Sequence, residues 1–572
     1  MMTGTRSYAY GQQPAELLGE TIGDCLARIA RTYPNQEAVV SCHQNRRMTY
    51  QEFQVAVDRA ARALLGMDVQ PGDRVAIWSV NNIEWVIMQF ATARIGAVLV
   101  NINPSYRTHE LAFALRASKT KLIFMAEAFK KSRFVEMFLE ICPEAYSDGD
   151  EPIRSVSFPH LKHAVVFTEA AINGLMTFES FLTQSQRISD ERFEHMIEQL
   201  DIDDVINIQY TSGTTGTPKG VQLTHNNILN NGLMVGHGMN LTSEDRVCVP
   251  VPFYHCFGMV VSNLAAMTHG AAIIIPSPVF DVEATLRAVQ NEKCTVLHGV
   301  PTMFIAELDH PDFNTFDVST LRTGIMAGAP CPVELMRRVV SDLNMHDVLI
   351  GYGMTESSPV STMTAVEDSF EKRVETVGRV MPGQEIKIID PATGQTVPRG
   401  TSGEVCFRGY HVMIGYDHEL DATHEAIDDN RWLHSGDIGV MDDEGYVKIC
   451  GRIKEMVIRG GENIYPREIE EFLHTLPDIA DAYVVGVPDP KFGEELCACV
   501  RLKEGTPKVD MESLRATCQG KIAHFKIPKY WLEVEEYPLT VTGKIQKFKL
   551  REVAMAQLAL IDRKSDIHHQ MV

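Results

Sequence analysis

The sequence predicts an α/β protein built from more than one domain, and three observations carry that prediction. Strand-like and helix-like stretches alternate over roughly 300 residues, the pattern of parallel sheets covered by helices. From Arg379 to Lys448 the texture changes to short strands joined by Pro, Gly and Asp turns, which reads as a small β subdomain. After Gly451 a separate α/β unit begins. At 572 residues the chain is too long for one compact core, and about two to four domains are expected.

The elements follow in order. Thr49 and Glu52 form a capping box that opens a helix, with Phe53, Val57, Ala60 and Leu64 at helical spacing. The strand DRVAIWSV, a helix from Glu84, the strand AVLVNINP, a helix from about His109 and the strand KLIFMAE come next. EAYSDGDEPIRS reads as an exposed acidic loop. Ile206, Ile208 and Tyr210 alternate with Asn207 and Gln209, the period of a half-buried strand. Further on lie the strand AAIIIP, the helix VEATLRAVQNEK, the strands CTVLHGVP and RTGIMAGAP, the helix PVELMRRVVSDL and the strand DVLIGYG. Several of these strands end in Gly or Pro loops at their carboxyl ends, where α/β sheets bind ligands. The β-rich stretch contributes QEIKIID, GEVCFRG and GYVKIC. The last unit contributes a helix near Glu468, strands AYVVGV and CACVRLK, and a helix in VDMESLRATCQ. The final dozen residues are polar and are expected to fray.

Composition excludes several classes. With 53 basic and 75 acidic residues the net charge is −22, which opposes non-specific binding to nucleic acid or anionic membranes. An anionic substrate must then be met by local cations. Twelve cysteines are scattered without a C-x-x-C pair, so reduced thiols in the cytoplasm are expected. The amino-terminal stretch lacks the apolar core of a signal peptide, and no apolar run approaches the ~18 residues of a membrane span.

One stretch carries unusual chemistry. YTSGTTGTPKG, Tyr210 to Gly220, follows a strand and combines glycines that let N–H groups converge, hydroxyl donors, and Lys219. Together they form a cradle suited to a polyphosphate. It is not a Walker A loop, because five residues after Gly213 stands Pro218. A Ser/Thr-rich surface turn would explain the hydroxyls but not the terminal lysine.

Other stretches are individually weaker. LIGYGMTESSPV ends a strand with an aromatic ring between glycines, then offers Thr355 for a phosphate oxygen and Glu356 for Mg²⁺. TGIMAGAPCP allows close backbone approach by a flat ligand, and a simple strand-to-helix turn explains it as well. Asp437 in WLHSGDIG suits ribose hydroxyls or an Asx turn equally. GRIKEMVIRGGENIYPREIE joins two apparent domains and reads alone as a charged linker. Lys544 in PLTVTGKIQK and His255 in VPFYHCFGM read alone as a solvated lysine and a packed histidine. Cys256 has no legible His–Asn partners.

As an ordered set, YTSGTTGTPKG, GYGMTE, HSGDIG, GRIKE and PLTVTGKIQK make the sequence resemble the adenylate-forming superfamily of acyl-CoA synthetases, luciferases and adenylation domains, over about residues 20 to 552. TESSPVS and GGENIYPREIE resemble medium-chain acyl-CoA synthetases most. The resemblance implies two doubly wound βαβ subdomains plus a small β-barrel (about 379–450) in a large domain of residues 1–451. It implies a hinge at 452–454 and a small mobile α/β domain over 455–572.

It also implies ATP, Mg²⁺ and coenzyme A as the reactants and ion, and a small-molecule carboxylate as the acid. Thr211, Ser212, Gly213, Thr214, Thr215, Gly216, Thr217, Pro218 and Lys219 would hold the ATP phosphates. Gly328, Ala329, Pro330, Gly351, Tyr352, Gly353 and Met354 would flank the nucleotide. Thr355 would touch the α-phosphate and Glu356 would hold Mg²⁺. Asp437 would bind the ribose, assisted by Arg452. Lys544 would act in adenylation, Lys454 would be the hinge, and Gly460 and Gly461 would serve coenzyme A. His255, Phe257, Met259, Val300, Met303 and Gly353 would line the acyl pocket. A homodimer is the candidate assembly. Aryl-CoA ligation, amino-acid adenylation, luciferase chemistry and a nucleotide sensor that has lost catalysis stand as rivals.

Overall fold

The computed structural model of the protein describes residues 5–12, 16–146, 151–168, 170, 172, 175–211, 218–329, 331–460, 462–503, 511–539 and 545–558. Packing divides the chain into two compact units. The larger gathers Ala9–Ile386 with Phe407–His434, and the smaller gathers Met1–Tyr8, Lys387–Cys406 and Ser435–Val572.

Two sheets organise the larger unit. The first has eight strands, in the order Gly415–Tyr416, Lys219–Thr224, Val205–Thr211, Val98–Ile102, Arg74–Trp78, Leu122–Ala126, His163–Phe167 and Met176–Thr177. Its centre is parallel, as βαβ crossovers require. One edge turns antiparallel at Lys219–Thr224 and Gly415–Tyr416. The second sheet has nine strands, with Glu37–Ser41, Ala272–Ile275, Arg246–Cys248, Val296–Leu297, Thr323–Ala327 and Asp347–Tyr352 as its parallel core.

Local rules explain the helices. The Thr49–Glu52 capping box is formed and opens the helix Tyr50–Gly66. Helix Ile83–Arg94, capped by Asn82, is buried nearly all round, including Glu84, Gln89 and Thr92. Pro301 starts the helix Pro301–Leu308, where its missing N–H costs nothing. The expected strand CTVLHGVP shortens accordingly to Val296–Leu297.

Two expectations need correction. Val205–Thr211 is a strand but not a half-buried one: Asn207 and Gln209 are buried together with Ile206 and Ile208. Both faces of a doubly wound sheet are covered, so the polar residues must find partners inside. Asn207 Nδ2 donates to the Leu99 carbonyl at 3.0 Å and to Asn101 Oδ1 at 3.1 Å. In the acidic stretch, Ile153 and Ser155 are buried, and the Ile153 N–H donates to the Lys162 carbonyl at 2.7 Å. That end of the stretch packs against the first sheet's core instead of lying exposed.

In the β-rich stretch, five strands form a sheet in the order Tyr8–Tyr10, Gln384–Ile389, Gly403–Gly409, Leu433–Met441 and Val447–Arg452, most of it in the smaller unit. The carboxyl-terminal sheet runs Glu462–Ile464, Val457–Arg459, Gly493–Leu502, Ile479–Asp489, with Tyr530–Glu533 parallel to Gly493–Leu502. Lys547 is held there by Glu455 at 3.0 Å and Glu470 at 2.8 Å. The final dozen residues lie outside the described ones.

The second core of the larger unit contains a charge liability. Glu307 is fully buried on Pro301–Leu308, and its Oε2 has no hydrogen-bond partner among the described residues. Burial pushes its carboxyl up to about 8. The folded state therefore keeps a proton that the unfolded chain loses near the ordinary glutamate value. This group's contribution is full below that value and is lost as pH rises toward 8. Glu307→Gln is expected to raise Tm by a few degrees at pH 8 and to leave it unchanged near pH 4.5, measured by thermal melts across pH.

Candidate functional site

The site begins at the antiparallel edge of the first sheet. Thr211 and Lys219 are cross-strand partners, so Val205–Thr211 and Lys219–Thr224 pair antiparallel on either side of the glycine- and hydroxyl-rich segment. Ser212 to Thr217 lie outside the described residues; Thr211, Pro218 and Lys219 are half-buried at the hairpin's base. In the next strand Tyr416 pairs with Val221, which puts its ring diagonal to Lys219 on one face. Lys219 Nζ stands 5.0 Å from the centre of that ring. The Tyr416 hydroxyl donates to Glu356 Oε1 at 2.8 Å. Burial and the neighbouring carboxylate both raise the tyrosine pKa, so the hydroxyl keeps its proton.

Glu356 is buried and follows the end of the strand Asp347–Tyr352. There Gly351 is buried, and Tyr352 is half-buried with its ring 6.1 Å from that of Phe407. Gly353 has no room for a side chain: a Cβ would fall 2.0 Å from the Pro359 carbonyl. Met354 and Ser357 close a tight turn through 2.8 and 3.1 Å hydrogen bonds, leaving Thr355 half-exposed at its start. Gly328 adopts a φ of +88° and is exposed with Ala329; Pro330 is outside the described residues.

Helix His225–Gly238 fixes this region through two asparagines one turn apart. Asn227 Nδ2 donates to the carbonyls of Tyr410 and Val412. Asn231 Nδ2 donates to the Val360 carbonyl at 2.8 Å, and the Val360 N–H returns a bond to Asn231 Oδ1 at 3.2 Å. The Met413 N–H in turn donates to the Glu356 carbonyl at 2.9 Å. Neither asparagine nor Tyr416 was singled out by sequence. The two Asn-Asn pairs one turn apart, Asn226–Asn227 and Asn230–Asn231, were the available signal.

The residues expected at an acyl pocket scatter more. His255 Nδ1 accepts from the Phe257 N–H at 3.1 Å. Phe257 and Met259 are buried in the π-helical segment Phe257–Leu264, and the Met259 carbonyl accepts from Gln89. Val300 caps Pro301–Leu308, and Met303 is half-buried within it. Sequence missed His298, whose ring lies 5.9 Å from that of Phe257. Its Nδ1 accepts from the Ile325 N–H at 3.1 Å, and burial pushes its pKa down to about 3, so it is neutral.

In the smaller unit Asp437 and Arg452 are cross-strand partners, with Arg452 Nε 3.3 Å from Asp437 Oδ1. Asp437 is nearly buried. Its N–H donates to Ser435 Oγ at 3.0 Å, and that hydroxyl donates to the Val405 carbonyl. Lys454 sits in the turn Ile453–Glu455. Gly460 adopts a φ of +59°, and its N–H donates to the Phe492 carbonyl at 2.9 Å. Gly461 and Lys544 lie outside the described residues.

Comparison with known proteins places the chain in a family. A family model described as AMP-binding enzyme matches residues 26–417, and one described as AMP-binding enzyme C-terminal domain matches residues 468–544. YngI of Bacillus subtilis (strain 168), which bears an acyl-CoA synthetase name, is 49% identical over 94% of this chain and 98% of its own. The mitochondrial medium-chain acyl-CoA ligase ACSF2 of Bos taurus is 44% identical over 96% of this chain and 90% of its own. The crystal structure of ATP-bound MatB from Rhodopseudomonas palustris superposes with a TM-score of 0.80 at 28% identity, covering 93% of this chain and 98% of that one.

Proposed function

This chain belongs to the AMP-binding enzyme family and is an AMP-forming acyl-CoA synthetase, and we propose that the acid it activates is a medium-chain fatty acid. Two observations support that acid: the 44% identity to a medium-chain ligase over most of both chains, and the apolar character of Phe257, Met259, Val300 and Met303.

The chemistry sets what the residues must do. A carboxylate and ATP repel each other, by about 4 kcal/mol for two unit charges 4 Å apart near a protein surface. The acid's oxygen attacks the α-phosphorus, pyrophosphate leaves, and an acyl-AMP anhydride remains. The coenzyme A thiol, losing its proton, then attacks the acyl carbonyl, and AMP leaves. The enzyme's task is to neutralise and orient.

The close approach of Lys219, Tyr416 and Glu356 is the observation that carries the site assignment. In this reading Lys219 and the 211–217 loop hold phosphates, and Thr355 faces the α-phosphate. Glu356 offers a buried oxygen ligand, and one carboxylate suits Mg²⁺, which draws other ligands from phosphates and water. Bound there, Mg²⁺ would offset phosphate charge. Gly328, Ala329 and Tyr352 flank the adenine. Asp437 takes the ribose hydroxyls, steadied by Arg452. Lys544 adds positive charge during adenylation, Lys454 is the hinge within 452–454 of a mobile carboxyl-terminal domain, and Gly460 and Gly461 serve coenzyme A. Twelve free thiols suit the cytoplasm.

No protein nucleophile is required. Cys256 is buried, and burial together with the Glu356 charge pushes its thiol far up, so it is not a thiolate. Cys256→Ala is expected to keep kcat/KM within about twofold, as a small core change does; loss of turnover with the fold intact would point to an acyl-enzyme instead.

A panel from acetate to palmitate plus benzoate, scored for coenzyme A-dependent AMP release, tests the acid. Each CH₂ buried contributes about 0.8 kcal/mol, so kcat/KM should rise roughly fourfold per methylene until the pocket fills, with octanoate or decanoate leading. A lead for benzoate, acetate or palmitate overturns the medium-chain assignment.

A further inference from the structure

The strand Gly415–Tyr416 is not used by the sequence reading or by the reaction as written, yet it ties together two groups that reading needs. Its backbone pairs with Val221 and Gln222. The Tyr416 N–H donates to Thr423 Oγ1 at 2.9 Å. Asp417 completes the latch: its N–H donates to the Gly220 carbonyl at 2.7 Å, its buried carboxylate accepts from Gln222 at 2.8 Å, and Arg74 stands 3.7 Å away. Tyr416 is therefore fixed in place by its own backbone and by its neighbour.

Fixed there, its two ends face opposite charges. The ring face lies under Lys219 Nζ at 5.0 Å, and the hydroxyl donates to Glu356 at 2.8 Å. Among the described residues no carboxylate lies within salt-bridge distance of Lys219. A direct Lys219–Glu356 pair in this half-buried place would neutralise both groups and would have to be broken before phosphates could bind. A tyrosine between them avoids that. The ring's hold on an ammonium is weaker than that of a phosphate, and a hydroxyl donor orients the carboxylate without cancelling its charge.

We propose that Tyr416 is a positioning residue for the ATP phosphates, its ring carrying Lys219 and its hydroxyl carrying Glu356, so that both charges are oriented but not spent on each other before the nucleotide arrives. This rests on the roles given above to Lys219 and Glu356.

The test is MgATP binding to the full chain by titration calorimetry, with steady-state KM for octanoate alongside. Tyr416→Phe keeps the ring and is expected to weaken MgATP binding about 10-fold, the scale of a hydrogen bond to a charged group. In a Glu356→Gln background the same change should cost less than about twofold, because the partner charge is gone. Tyr416→Leu should cost about threefold more than Tyr416→Phe, and that difference should vanish in Lys219→Met. KM for octanoate should stay within about twofold in Tyr416→Phe and Tyr416→Leu made in the wild-type chain. Equal losses for Tyr416→Phe in both backgrounds, or a parallel rise in KM for octanoate, would overturn the proposal. Should Tyr416→Leu fail to fold, the Tyr416→Phe arm decides alone. Wild-type protein that neither binds MgATP nor releases AMP would instead refute the site reading itself.

Discussion

The chemistry of the larger unit depends on how one sheet edge is finished. Val205–Thr211 and Lys219–Thr224 make a hairpin whose free side would otherwise expose backbone donors and acceptors. The two-residue strand Gly415–Tyr416 covers part of that side, and in doing so it carries an aromatic ring beside Lys219. Through its ring and its hydroxyl, Tyr416 touches a lysine and a glutamate that are 137 positions apart in sequence.

The same economy governs the buried amides. Asn227 and Asn231 would each be costly inside an apolar layer without partners. Each instead satisfies backbone groups of an irregular segment, at 410–412 and at Val360, that no regular ladder reaches. The turn bearing Thr355 and Glu356 is held from both sides by these contacts and by the Met413–Glu356 bond. Rigidity of this kind suits a site whose work is orientation. Glu307 shows the opposite case, a buried carboxyl with one oxygen unpartnered among the described residues.

Legibility followed sequence distance. The alternation of strands and helices and the Thr49–Glu52 box are local, and both could be read directly; the helix start at Pro301 is local too, yet the strand CTVLHGVP was read through it. Asp437 and Arg452 are 15 residues apart on successive strands, close enough for motif reading to bring them together, and they do pair. Tyr416 is 60 residues from Glu356 and 197 from Lys219; nothing local marks it, because its meaning comes from register. The alternating Ile206–Tyr210 run misled about burial for a related reason. A period of two reports a strand, but only the layers on either side decide whether the polar positions see water. His298 was hidden likewise, since its neighbours Ile325 and Phe257 come from other elements.

In the proposed reaction a carboxylate oxygen bonds to the α-phosphorus of ATP while the protein contributes charge and orientation and no nucleophile. Single-turnover reaction of carboxyl-¹⁸O₂ octanoate with ATP and coenzyme A, followed by mass spectrometry of the products, tests it directly. One labelled oxygen should appear in AMP, one should stay in the thioester, and pyrophosphate should carry none. Label in pyrophosphate, or AMP free of label while octanoyl-CoA accumulates, would contradict the claim.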